Sequence, residues 1–186
     1  MIPTIETYKN QLNAAKDSNG DWRNPYENLM RELYNLPVLF FALSKDNYDA
    51  VTKTSVPLIS TKDFNGSPTL YVFSDVDLAS GWMSHYHHAT EDLKYGFIGA
   101  IEKAQYDFNS VFQIAKVLGV QMIMLDEGGS LVGIDINYFM EVNSLSTDSI
   151  NVPLTKEQYD EVVAAGKLPD IRFTPVSLIP LTSSHS

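Results

Sequence analysis

Leu36-Pro37-Val38-Leu39-Phe40-Phe41-Ala42-Leu43 is an unbroken apolar run between Asn35 and Ser44. At eight residues it is about half of the roughly 18–20 needed to cross a bilayer. Pro37 to Leu43 is a short continuous apolar run of strand length. A strand with no polar alternation must be covered on both faces, so this one sits inside a sheet with helices packed on it. The expected architecture is therefore α+β.

Toward the N-terminus, Ile5, Tyr8, Leu12 and Ala15 fall on one helical face, and Asp17-Ser18-Asn19-Gly20 stops the helix. Asn24, Pro25 and Glu27 suggest a capped second helix, with Tyr26, Leu29, Met30 and Leu33 toward the core. Toward the C-terminus, Val56–Ser60 and Thr69–Phe73 read as strands around the turn Asn65-Gly66-Ser67-Pro68. Ser74 or Asp75 caps a helix reaching about His88. Tyr95–Ile101 is a strand in which Gly96 and Gly99 mark a bulge or a close approach. Asp107 opens a helix whose Phe108, Val111, Phe112, Ala115 and Leu118 face inward, and Gly119 closes it. Val120–Leu125 and Leu131–Ile136 form a hairpin around Glu127-Gly128-Gly129. Asn143–Asn151 is polar and reads as a loop. Thr155 and Gln158 make a capping box, Gly166 ends that helix, and Ile171–Leu178 is extended, with Pro175 marking an edge. One domain results: a mixed sheet of five to seven strands, residues 36–178, preceded by two helices in residues 1–35 and followed by a tail, residues 179–186.

The 186 residues carry 13 Lys and Arg against 23 Asp and Glu, a net charge of −10. The halves divided at residue 93 carry −5 each, so no basic region offers phosphates a footprint, and nucleic acid is not an expected partner. With no cysteine, disulfides and thiolate chemistry are excluded. The first residues lack a basic run followed by an apolar stretch, so the expectation is a cytoplasmic protein with no membrane partner. No Gly-x-Ser-x-Gly, Gly-x-Gly-x-x-Gly or P-loop string occurs.

Several of these pieces together resemble the SseB-like family, named for enhanced serine sensitivity and for a type III secretion label on its N-terminal domain. They are Leu36–Leu43, Val56–Thr61, and Thr69-Leu70-Tyr71-Val72-Phe73-Ser74-Asp75-Val76-Asp77-Leu78 ending in Gly81-Trp82. Phe108–Gly119 and Val120–Leu125 complete the set. Where the family tends to have Asn-Pro-Gly, this chain has Asp126-Glu127-Gly128-Gly129. The resemblance implies the same fold, no catalytic residues and no cofactor, hence a non-enzymatic protein-interaction or regulatory module. An acidic surface of this kind favours a partner with a basic patch.

The candidate site residues are Asp75, Trp82, His85, His88 and Asp126. On a helix from Val76, His85, His88 and Asp92 fall within about 60° of one another, a spacing that can grip a metal with a carboxylate. The competing reading is a helix C-terminus favoured by its dipole, and no metal is expected. Trp82 lies inside the apolar arc Val76, Leu78, Ala79, Met83 and Tyr86, which reads as a core anchor. Asp75, Asp77 and Asp126 lie at predicted strand ends, where paired carboxylates could act, although turn chemistry also accounts for acids there. The alternative function is thus a small-molecule or divalent-metal protein, or an enzyme, with an acidic site near Asp75, His85, His88 and Asp126. Finally, 21 aromatic residues, among them Tyr8, Tyr26, Tyr34, Tyr48, Tyr138 and Phe139 near element ends, suggest a homo-oligomer.

Overall fold

A computed structural model describes residues 2–44, 48–49, 54–55, 61–62, 68–89, 95–117, 119–145, 156–167 and 174–176. The elements are α1 (Pro3–Asp17), α2 (Arg23–Asn35), β1 (Val38–Ser44), β2 (Tyr48–Asp49), β3 (Thr54–Ser55), β4 (Thr61–Lys62) and β5 (Pro68–Phe73). There follow α3 (Val76–Ala89), β6 (Tyr95–Glu102), α4 (Phe108–Val117), β7 (Met122–Leu125), β8 (Val132–Asp135), α5 (Ile136–Val142), α6 (Lys156–Ala164) and β9 (Thr174–Val176).

The apolar run becomes β1, paired on one side with β5 and on the other with β6, both antiparallel. The seven-stranded sheet runs β8-β7-β5-β1-β6-β9, and β4 also pairs with β5. Among the described strands only β5 and β7 pair in parallel, so the sheet is mixed. β2 and β3 form a separate two-stranded ribbon. Alternation along each strand sorts side chains to two faces. Leu39, Phe41, Leu70, Val72, Ile123 and Leu125 enter the larger core, with residues of α1, α2, α4 and α5. Ala42, Phe73 and Ile98 face the other way, onto Ala79 and Trp82 of α3. Both faces of β1 are covered, as its composition requires. Ile5 and Leu12 of α1 and Leu29, Met30 and Leu33 of α2 belong to the same core as the sheet.

Several local expectations meet the structure directly. The register of β1 against β6 passes from Leu43↔Phe97 to Ser44↔Tyr95, leaving Gly96 as the bulged residue. Asp107 accepts from the Asn109 amide at 3.1 Å to open α4, and Gly119, at φ 91°, closes it. Gly166 ends α6 at φ 73°. Pro175 lies in β9 at the sheet edge, where a missing N–H costs no ladder bond.

Others are corrected. Helix α2 starts at Arg23, with Trp22 as its N-cap and no side-chain cap bond. Asp21 instead receives the Arg23 amide at 3.1 Å, and Glu27 faces Tyr138 and Arg31 rather than closing a capping box. The strand that pairs before β5 is Thr61–Lys62, and Val56–Ser60 lies outside the described residues. So do Thr155, most of Asn143–Asn151 and the tail from 177 onward. Tyr138 and Phe139 are not in a loop: they belong to α5, capped by the Asp135 carboxylate on the Tyr138 amide at 3.0 Å. Phe139 is wholly buried, while Tyr8, Tyr26, Tyr34 and Tyr138 are partly buried against the same core.

Candidate functional site

The parallel strands β5 and β7 end side by side, and the residues that follow them, Ser74 and Asp126, meet there. In α/β sheets such carboxyl ends are where ligands and catalytic groups gather. Asp126 takes a left-handed backbone (φ 55°), which a short polar side chain tolerates better than most. Its amide still donates to the Val72 carbonyl at 2.9 Å. One carboxylate oxygen accepts from the Ser74 amide and the other from the Ser74 hydroxyl, each at 2.7 Å. The second oxygen also receives Lys9 Nζ at 2.6 Å. Lys9 and Asp126 are both 0% exposed. Glu6, one turn earlier on α1, lies 3.4 Å from the same ammonium.

Lys9 is the residue that sequence reasoning missed. It lies between Ile5 and Leu12 at i+4 and i−3, inside the buried stripe of α1. A lysine on that stripe has to find an acid or lose its charge, because an isolated buried ammonium costs several kcal/mol (about). That spacing was the available signal.

The remaining candidates lie on α3 or directly before it. Asp75 caps α3, its carboxylate accepting from the Asp77 amide at 2.7 Å. Trp82 is buried, its ring 5.2 Å from Tyr71 and 5.5 Å from Phe73, and its indole N–H donates to Glu127 at 2.9 Å. Gly128, at φ 94°, sets the β7–β8 turn against the indole edge. Trp82 is thus the anchor of α3, as its arc predicts. His85 and His88 lie on α3, but their side chains, and Asp92 altogether, are outside the description. Among the described residues no group of three or more His, Asp or Glu is placed to hold a metal. Asp126 has both oxygens hydrogen-bonded, to Ser74 and Lys9.

A second feature lies on the surface. Lys16, Trp22, Tyr26 and Gly133 line a shallow groove of about 340 Å³. Trp22 is 44% exposed, its ring 5.9 Å from Tyr26 and 6.0 Å from the Arg23 guanidinium. Tyr26 donates its hydroxyl to the Gly133 carbonyl at 2.9 Å, occupying an acceptor on the outer strand β8. Burial pushes the Tyr26 phenol up to about 12, against the pull of a backbone hydrogen bond at Asp135. Leu131, two residues before Gly133, is also 44% exposed.

No helix among the described residues is long and apolar enough to cross a membrane. The chain matches no family model, no curated protein and no solved structure.

Proposed function

We propose that this chain is a non-enzymatic protein-interaction or regulatory module of the SseB-like kind, working in the cytoplasm through contact with another protein. The observation that carries the reading is where the chemistry-bearing and the contact-making groups lie. Asp126 and Lys9 are sealed from solvent and bonded to one another. Trp22, by contrast, stands half in water beside a groove, with Lys16 and Tyr26 around it. Tryptophan is enriched at binding hot spots because its ring buries large area with few rotatable bonds. The net charge of −10 adds steering toward a partner with a basic patch.

Affinity capture from native lysate, at low and moderate salt, tests this with wild type and Trp22→Ala side by side. The expected result is a stoichiometric partner, weakened by salt and lost with Trp22→Ala. Absence of any stoichiometric partner at both salt levels overturns the reading. A homo-oligomer is part of the same proposal, with Trp22 as the place where a second copy would dock. Light scattering then gives a mass above 20.8 kDa that falls to it in Trp22→Ala. A single 20.8 kDa species over a wide concentration range removes that form.

A further inference from the structure

Strand β8 is an outer strand of the sheet, and its alternation decides which backbone groups face away from it. The Ile136 amide donates to the Gln121 carbonyl at 3.1 Å, in the same register that sets Ile134 opposite Ile123 and Val132 opposite Leu125. Antiparallel pairs alternate between bonded and non-bonded, so Gly133, opposite Met124, turns its N–H and C=O away from β7. Its carbonyl accepts the Tyr26 hydroxyl at 2.9 Å, and the Asp135 backbone bonds the same phenol oxygen. The Gly133 amide points out of the sheet on a residue that lines the groove, and no described residue accepts from it. Among the described residues lining the groove, the charged one is Lys16, an exposed cation on a chain of net charge −10. Asp21 and Asp135, acids on the neighbouring segments, are engaged by the Arg23 and Tyr138 amides. We propose that this groove captures the C-terminal end of a partner chain, its carboxylate on the Gly133 amide and Lys16 and its apolar last side chain on Trp22.

This rests on the protein-contact reading and names the part of the partner that enters. A chain end is selected over a passing segment because the edge is closed just beyond the open donor. Tyr26 occupies the Gly133 carbonyl and the Asp135 backbone, the next groups that a chain laid along β8 needs. The carboxyl end is selected over the amino end because both open groups are donors. An amide and an ammonium suit a carboxylate, with a charge-assisted bond from Lys16, and repel an N-terminal ammonium. The volume of about 340 Å³ lies at the small end of the roughly 300–1,000 Å³ of ligand sites, which holds roughly one or two residues. An apolar last side chain is selected by the rings. Trp22 is 44% exposed, and Tyr26 lies 5.9 Å from it, so both offer surface whose burial favours binding.

Heteronuclear NMR of the full chain, titrated with N-acetyl-Gly-Gly-Phe as the free acid and as the C-terminal amide, tests the assignment. The readouts are the Trp22 indole N–H, assigned with Trp22→Phe, and the Gly133 amide. The free acid is expected to shift both, moving the Gly133 amide downfield as it gains an acceptor. The amide form binds at least about tenfold more weakly, for want of a charge-assisted hydrogen bond. Lys16→Met, a change at an exposed position, brings the acid down toward the affinity of the amide. The free acid N-acetyl-Gly-Gly-Ser, with no apolar side chain to lay on Trp22, binds more weakly than its Phe counterpart. Equal affinity for acid and amide, or no shift at either proton up to millimolar peptide, overturns the inference. Capture from lysate is a separate readout. A partner held through Trp22 while acid and amide bind alike leaves the protein-contact reading standing and removes the chain-end assignment.

Discussion

At the scale of single residues, the burial of Lys9 makes it the most sensitive position in α1. Removing one partner of a buried ion pair leaves the other charge without compensation. Lys9→Met is therefore expected to cost about 3–5 kcal/mol, read as a lower urea midpoint at unchanged slope. Tyr26 gives a pH signature. Its phenol titrates near 12 in the folded chain against an ordinary value of 10. The protonated phenol is therefore favoured by folding. Its contribution is complete below pH 10 and is lost as pH rises toward 12. Tyr26→Phe should flatten the stability profile in that window, and the ultraviolet absorbance of phenolate should lose a component that titrates near 12.

At the scale of elements, two glycines separate backbone strain from helix propensity. Gly81 lies within α3, with nothing within 4 Å of where a Cβ would stand. Gly81→Ala is expected to stabilise by about 0.5–1 kcal/mol. A Cβ at Gly128 would also meet only ordinary contact, 3.7 Å from Trp82, but this residue's φ is 94°. Gly128→Ala is expected to destabilise by about 1–2 kcal/mol. Thermal melting of the two variants should move in opposite directions. The elements that the sequence displays well are those with a local cause. Asp107 and Gly119 bracket α4, and the uninterrupted apolar run is β1. Helix α5 stays hidden because Val132, Ile134 and Ile136 continue a two-residue alternation straight into it. The switch to helical spacing, Ile136, Phe139 and Met140, begins on a residue that serves both patterns. The α2 capping box fails for a tertiary reason: Glu27 is drawn to Tyr138 of α5. The meeting of Lys9 with Asp126 spans 117 positions and depends on packing that no local pattern displays.

At the scale of the whole molecule, the sheet divides the chain into two unequal layers. One side carries α1, α2, α4 and α5; the other carries α3 with its small cluster around Trp82. The outer strands have their own protection from strand addition: Tyr26 holds the Gly133 carbonyl of β8, and β9 carries Pro175, which has no N–H to offer. The two tryptophans are distributed just as unequally, and this makes them a pair of built-in optical probes. Trp22, half in water, should emit at long wavelength and be quenched by iodide and acrylamide. Trp82, enclosed by Tyr71 and Phe73, should emit at shorter wavelength and resist both quenchers. Trp22→Phe is expected to leave a blue-shifted, poorly quenched spectrum, and Trp82→Phe the reverse. If the two single-tryptophan spectra were alike, the assignment of one ring to solvent and one to the interior would fail. With the assignment in hand, the light from Trp22 follows occupancy of the groove, and that from Trp82 follows the seating of α3, in the same cuvette.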